Sequence, residues 1–128
     1  MVQNSLRVLI GLSGLFWLFM AVQFWLGPVA PAAQLGVQAI NDLGFSTIRA
    51  DFASFFAVGG IFAVAAALKN DGRLALVPLG LFGLALLGRL GTAAGQGLPS
   101  EVIPPIAVEA IASALYLAGW RFLGRPAR

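Results

Sequence analysis

An uncharged, apolar run covers residues 8–27 of the chain. An α-helix rises about 1.5 Å per residue, so a helix over this run is long enough to cross a hydrocarbon core of roughly 30 Å. The apolar region of a secretory signal peptide is shorter, at about 7 to 15 residues. The run therefore predicts a membrane-spanning helix.

The composition of the whole chain indicates the same apolar solvent. Of 128 residues, 59% are hydrophobic and 10% are charged, whereas globular proteins carry roughly 25% charged residues. A net charge of +3 spread along such a chain fits membrane topology better than nucleic-acid binding. The sequence contains no cysteine and no histidine, which argues against disulfides, haem ligation and the usual transition-metal sites. We therefore expect no nucleic-acid partner, no cofactor and no metal.

Hydropathy and turn residues together predict four spans in a single domain, an all-α integral membrane four-helix bundle. The spans are expected at about residues 7–27, 47–68, 74–91 and 105–121. Ser46 or Thr47 is the expected N-cap of the second span. The extracytoplasmic loop 28–46 has enough apolar spacing over residues 33–43 for a short interfacial helix. Asn70, Asp71 and Gly72 predict a tight hairpin between the second and third spans.

The distribution of basic residues predicts the orientation of the spans. Short loops rich in lysine and arginine remain in the cytoplasm. With a cytoplasmic N-terminus, most of the basic residues fall on the cytoplasmic side, namely Arg7, Lys69, Arg73, Arg121, Arg125 and Arg128. Arg49 and Arg89 fall on the opposite side, within or at the edge of a span. Both termini are therefore predicted to be cytoplasmic.

Two stripes of small residues predict where helices approach each other closely. In lipid, helices associate through small side chains that recur every four residues. The second span carries Gly59, Ala63 and Ala67, and the fourth carries Ala110, Ala114 and Ala118. Each stripe predicts a tight seam within the bundle, with a dimerisation seam as the alternative.

Ionisable residues inside the predicted spans require a specific explanation, because each costs at least about 2.5 kcal/mol in the membrane. There are four of them: Arg49, Asp51, Arg89 and Glu109. The predicted topology places all four in the outer half of the membrane, so we expect one buried polar cluster. Glu109, Ser113 and Tyr116 are spaced to share one helix face. Gln23 of the first span is expected to add an amide to the cluster.

Three interpretations of this cluster remain open. In the first, Glu109 pairs with Arg49, and also with Arg89, in a network that fixes helix register. In the second, the two arginines bind an anion or a lipid headgroup, which suits the planar guanidinium group. In the third, Glu109 takes up and releases a proton as part of a proton-coupled site.

Three short strings carry a resemblance to a known family: residues 48–52 (IRADF), residues 88–90 (GRL) and Glu109 in the fourth span. The chain resembles a set of small bacterial four-helix membrane proteins that form a domain family of unknown function, distantly similar to DoxX-like proteins. Many relatives have a glycine pair after the aromatic residue, where this chain has Ala53 and Ser54. The resemblance implies a multi-pass protein of the bacterial inner membrane in which Arg49, Arg89 and Glu109 matter together. It implies no reaction.

The leading hypothesis is a non-catalytic accessory, assembly or scaffold subunit of a larger membrane complex that holds an anionic lipid headgroup at the polar cluster. Its partners would be membrane lipids and other membrane subunits, or further copies of itself. The alternative is a small dimeric transporter of a charged solute that uses Glu109 and the arginines. A lipid-acting enzyme using Glu109, Asp51 and Tyr116 ranks last, because the sequence shows no nucleophile with a partnering base.

Overall fold

The computed structural model describes residues 1–124, and every regular element in that range is helical. The α-helices are α1 (Val2–Leu26), α2 (Val29–Gln34), α3 (Asp42–Thr47), α4 (Ala53–Lys69), α5 (Leu76–Gln96) and α6 (Ile103–Phe122). A π-helical turn, Ile48–Phe52, joins α3 to α4, and a 3-10 turn, Ser100–Val102, leads into α6. The all-α fold class is therefore confirmed.

Four helical segments are long and apolar enough to cross a membrane: Val2–Leu26, Asp42–Lys69, Leu76–Gln96 and Ser100–Phe122. The second segment is one continuous helix made of α3, the π-helical turn and α4. Large apolar side chains such as Leu12, Phe19, Leu84 and Ile111 are exposed along these segments. An apolar outer surface of this kind is typical of a multi-pass membrane protein and unusual in water.

The boundaries of the second segment differ from those predicted. The N-cap is Asn41, not Ser46 or Thr47, and its side chain accepts a hydrogen bond of 2.9 Å from the Gly44 amide. Asparagine is as good an N-cap as serine, and its position extends the helix further into the loop. The short helix of that loop is α2, Val29–Gln34, and residues 35–41 of the predicted range 33–43 are not helical.

Two glycines bring α1 and α4 into direct backbone contact. A Cβ atom added to Gly60 would lie 2.7 Å from the Gly14 carbonyl oxygen, and one added to Gly14 would lie 2.9 Å from the Gly60 carbonyl oxygen. The predicted stripe Gly59, Ala63 and Ala67 is buried. Gly59, however, faces Phe82 of α5 rather than α1. The seam with α1 includes Gly60 and also Ala67, whose Cβ would lie 3.4 Å from a Cβ added to Gly11.

The predicted seam of the fourth span is wrong. Ala110 and Ala114 are exposed, and the buried face of α6 consists instead of Glu109, Ala112, Tyr116 and Gly119. Because nearly every face of α6 is apolar, its small residues do not define which face packs inward. Polar and aromatic side chains define it.

Residues 70–75 and the two ends of the described chain lie at the same end of the molecule. The Gln3 side chain donates hydrogen bonds to the Asn70 side chain (3.3 Å) and to the Phe122 carbonyl (3.4 Å). Asn70 ends α4 in the left-handed conformation (φ 49°), which asparagine tolerates. Arg125 and Arg128, which enter the predicted orientation, lie outside the described residues. The opposite end, where α2, α3 and the start of α6 lie, is called the loop end below.

Candidate functional site

An ion pair joins α5 to α6 near the loop end. Arg89 Nε donates a hydrogen bond of 2.8 Å to Glu109 Oε1. Glu109 is 9% exposed, whereas the Arg89 side chain is 30% exposed. Within residues 1–124 this is the one ion pair shorter than 4 Å. The expected pairing of Glu109 with Arg49 is therefore corrected: its partner is Arg89.

Arg49 lies elsewhere, in the π-helical turn that precedes α4. Its guanidinium carbon sits 4.9 Å from the centre of the Phe45 ring, in a cation–π contact. Its Nε atom is buried and has no hydrogen-bond partner among the described residues. Residues two apart on a helix face different directions, so Arg49 and Asp51 are separated although they share one turn. The two arginines therefore do not form one site.

A partly open pocket of about 600 Å³ lies against the ion pair. Helices α1, α4, α5 and α6 supply its walls, and the end of α2 closes one side. Six aromatic residues line it: Phe16, Trp17, Phe52, Phe55, Phe56 and Phe82. Four polar side chains also line it: Gln34, Asp51, Arg89 and Glu109. We call this space the aromatic pocket.

The aromatic walls form a connected set of ring contacts. The Trp17 and Phe82 ring centres are 4.4 Å apart, and those of Phe55 and Phe82 are 5.2 Å apart in an edge-to-face arrangement. Such pairs are rigid and supply a large apolar surface at little cost in side-chain entropy. The pocket thus has a fixed apolar wall and a charged side, which is the usual character of a small-molecule site.

A second, smaller cavity of about 330 Å³ lies on another side of the ion pair. Ala85, Arg89 and Glu109 line both this cavity and the aromatic pocket. Gly88, Thr92 and Val102 complete its lining, between α5 and the start of α6. The Arg89–Glu109 contact therefore borders both spaces.

Tyr116 belongs to a buried hydrogen-bond chain behind the pocket. The Trp17 indole nitrogen donates to the Tyr116 hydroxyl oxygen (2.8 Å), which lies 2.8 Å from Ser13 Oγ. Ser13 Oγ donates its own hydrogen to the Ile10 carbonyl (2.7 Å). The Tyr116 hydroxyl must therefore donate to Ser13, and every hydrogen in the chain is used. Tyr116 is 0% exposed and links α6 to α1, a structural role that also fixes the Trp17 ring in the pocket wall.

The remaining predicted residues have different positions. Ser113 Oγ is buried at the interface of α6 and α5 and has no hydrogen-bond partner among the described residues. Gln23 is exposed on the outer face of α1 and lies outside the aromatic pocket lining. Of the predicted set, the structure brings Asp51, Arg89 and Glu109 to one pocket.

The aromatic wall was not among the residues predicted for the site. Trp17 belongs to this wall and is buried at 6% exposure, whereas Trp25 is 62% exposed. A signal was present in the sequence, because Phe52, Phe55 and Phe56 recur at helical spacing close to Asp51. Their partners on α1 and α5 could be assigned only from three-dimensional packing.

Comparison with protein-family models, curated proteins and solved structures finds no match to this chain. Within the described residues 1–124, no three His, Cys, Asp or Glu side chains are grouped so that they could hold a metal ion. The lining of the aromatic pocket offers an ion pair, a further carboxylate and an aromatic wall.

Proposed function

We propose that the chain is a non-catalytic, multi-pass protein of the bacterial inner membrane that binds an amphipathic molecule in the aromatic pocket. In this proposal the four spans form a bundle with both termini in the cytoplasm, and the pocket opens in the outer half of the membrane. The observation that carries it is a 600 Å³ pocket with aromatic walls and the Arg89–Glu109 pair on one side. An apolar cavity with a few polar groups is the usual form of a binding site.

The hydrogen-bonding state of the site favours binding over catalysis. Tyr116 is fully engaged by Trp17 and Ser13, and one oxygen of Glu109 is held by Arg89. A general base needs an accessible reacting group within hydrogen-bond reach, and a nucleophile needs such a base beside it. Within residues 1–124, the lining of the aromatic pocket contains no serine, threonine, tyrosine or cysteine that could act as a nucleophile beside such a base. We therefore propose the role of an accessory, assembly or scaffold subunit.

Arg49 is the residue that we propose to contact anionic lipid. Its position in the first turns of the second span corresponds to the level of the headgroups in the proposed topology. Its Nε has no acceptor among residues 1–124, and a guanidinium binds phosphate through several parallel hydrogen bonds. The lipid headgroup contact is thus assigned to Arg49 alone rather than to the Arg89–Glu109 pair.

The second candidate function is a small dimeric transporter of a charged solute. It is favoured by the smaller cavity, which shares Ala85, Arg89 and Glu109 with the aromatic pocket. Separation of the ion pair would join the two spaces between α5 and α6. Transport therefore requires that the pair open and close, whereas a binding subunit keeps it closed.

Native mass spectrometry of the protein in mild detergent tests the proposed function. Wild type is expected to retain a bound small molecule or a larger membrane complex. Ala85→Leu, which adds an isopropyl group at the pocket wall, is expected to release the small molecule. Gly80→Ala is the matched control, because a Cβ there has no neighbour within 4 Å. Identical spectra for wild type and Ala85→Leu would contradict the proposal. A bare dimer that moves solute into liposomes would favour the transporter.

Orientation can be tested separately, since the chain has no native cysteine. A single cysteine at Gln38 is expected to react with an impermeant maleimide added to intact spheroplasts. A single cysteine at Arg73 is expected to react only after permeabilisation. The reverse pattern would contradict the proposed topology.

A further inference from the structure

We infer that the ligand of the aromatic pocket carries an organic cation, an ammonium or similar group on an apolar body. This inference rests on the proposed function, because it assumes that the pocket is a binding site. It is drawn from the charges that line the pocket, from one unpartnered carboxylate oxygen and from the aromatic walls.

The charge balance of the lining is negative. Asp51 and Glu109 supply two carboxylates, and Arg89 supplies the single cation. Gln34 is neutral, and Arg49 lies over Phe45 outside the lining. Arg89 and Glu109 neutralise each other across their 2.8 Å hydrogen bond, so the charge of Asp51 remains. A pocket with an excess negative charge favours a cation over an anion.

Glu109 also lacks a hydrogen-bond donor. Its Oε1 atom is bonded to Arg89, but its Oε2 atom is buried without a partner among residues 1–124. The residue is 9% exposed, so water compensates this oxygen poorly. A buried acceptor without a donor is destabilising, and more so when it is charged. Glu109 lines the aromatic pocket, and the interaction that this residue lacks is a hydrogen-bond donor or a positive charge.

Arg89 does not need a further acceptor from a ligand in the aromatic pocket. Its side chain is 30% exposed, and it borders the smaller cavity as well as the aromatic pocket. A long arginine side chain near the end of a membrane helix can extend its head towards the headgroups and water. An anion in the aromatic pocket would have to compete with Glu109 for this arginine while lying close to Asp51.

The aromatic walls match a cation on an apolar body. Phe52, Phe55, Phe56 and Trp17 present π-systems around one space, and ring faces attract cations within about 6 Å. Aromatic cages are the usual way in which proteins recognise quaternary ammonium groups. The same rings bury the apolar part of the ligand, so one wall serves both ends of an amphipathic cation.

The test compares two ions of the same shape and opposite charge. Tetraphenylphosphonium and tetraphenylborate are titrated into the detergent-solubilised protein, with Trp17 fluorescence as the readout. Trp25 and Trp120 lie outside the pocket lining, so both are replaced by phenylalanine. Trp17 is then the single tryptophan of the protein. We expect a saturable change with tetraphenylphosphonium at about tenfold lower concentration than with tetraphenylborate.

Charge-neutral variants identify the carboxylates involved. Asp51→Asn and Glu109→Gln are each expected to weaken tetraphenylphosphonium binding by about tenfold, equivalent to about 1.4 kcal/mol. Glu101→Gln is the matched control, since Glu101 is exposed and outside the pocket. Asp51 is itself exposed, so Asp51→Asn remains informative even if Glu109→Gln disturbs folding.

The outcomes separate this inference from the proposed function. Tighter binding of tetraphenylborate, or no effect of either carboxylate variant, would overturn the inference. If Ala85→Leu still blocks tetraphenylborate in that case, the pocket remains a binding site and only its charge preference was wrong. If neither ion gives a saturable signal in wild type, the inference and the proposed function both fail.

Nanodiscs distinguish the two sources of such a cation. If tetraphenylphosphonium binds more weakly in phosphatidylcholine than in a neutral glycolipid, the ammonium headgroup of the lipid competes with the probe. That result would support the inference with a lipid headgroup as the natural ligand. Equal binding in the two lipids would support it with a free organic cation as the ligand. In both lipids tetraphenylborate must bind more weakly than tetraphenylphosphonium.

Discussion

The Arg89–Glu109 pair leads to a prediction about the sign of an energetic coupling. Its two members differ in burial, because the Glu109 side chain is 11% exposed and the Arg89 side chain is 30% exposed. We expect Arg89→Met to destabilise the protein far more than Glu109→Met. We also expect the double variant to be more stable than Arg89→Met alone.

The magnitudes follow from what each substitution leaves behind. Arg89→Met leaves a buried carboxylate whose second oxygen already lacks a donor, and breaking a buried pair in this way costs about 3 to 5 kcal/mol. Glu109→Met leaves an arginine that can extend towards the headgroups, so the loss should resemble that of an exposed pair, at most about 1 kcal/mol. The double variant places two apolar side chains at the interface of α5 and α6. Its expected cost is therefore close to that of Glu109→Met.

The assay is equilibrium unfolding of purified protein in mixed micelles with increasing denaturing detergent, followed by helix content. The four proteins form a double-mutant cycle, whose coupling term isolates the pair. Equal destabilisation by the two single variants would refute the argument from burial. An additive double variant would show that the two side chains do not interact in the membrane-like state, despite the 2.8 Å contact.

Three further variants test other contacts by the same unfolding assay. Gly60→Ala should lower the free energy of unfolding by about 1 to 3 kcal/mol, since its Cβ would lie 2.7 Å from a backbone oxygen of α1. The control, Gly80→Ala, should be neutral or stabilising by up to about 1 kcal/mol. Equal effects of the two variants would contradict the α1–α4 seam. Tyr116→Phe leaves the buried Trp17 indole N–H without an acceptor. This should lower the free energy of unfolding by about 1 to 3 kcal/mol and shift the tryptophan emission. Unchanged emission would contradict the hydrogen bond between Trp17 and Tyr116. Arg7→Met removes a 2.8 Å hydrogen bond to an α4 carbonyl. We expect faster amide hydrogen exchange in the last turn of α4. Unchanged exchange would contradict a stabilising role for this hydrogen bond.

The number of long apolar helices could be predicted from the sequence because bilayer thickness imposes a length on each of them. Residues 8–27 contain no charge, and α1 covers nearly all of that run. Helix ends were less certain, since several good caps compete near each boundary. Asn41 begins the second segment although Ser46 and Thr47 are also capable N-caps.

Helix rotation could not be predicted, and the errors in the seams follow from that. In a soluble helix, polar residues mark the outer face. In this chain both faces are apolar, so Ala110 and Ala114 were placed inside although they are exposed. The seam residue Gly60 was missed beside Gly59 for the same reason. The side chains that do define the inner face of α6 are Glu109 and Tyr116, which find partners there.

The depth of the site was more predictable than its contacts. Asp51, Arg89 and Glu109 were expected at one level because the predicted topology places them in the outer half of the membrane, and all three line the aromatic pocket. Depth along a helix follows directly from residue number, at about 1.5 Å per residue. Contact depends in addition on rotation about the helix axis. Arg49 has a similar depth but a different rotation, and it contacts Phe45 instead of Glu109.

The π-helical turn Ile48–Phe52 gives a physical reason for that rotation. A π-turn inserts one extra residue into the helical ladder, and one residue corresponds to about 100° around the axis. The residues before it, including Phe45, are therefore rotated relative to α4, whose Phe55 and Phe56 line the aromatic pocket. In a regular helix the face that carries Phe55 would continue into α3 without this offset. No proline or glycine marks the turn in the sequence, so its effect on the site becomes visible only in three dimensions: Asp51 lies at the pocket, and Arg49 lies outside it.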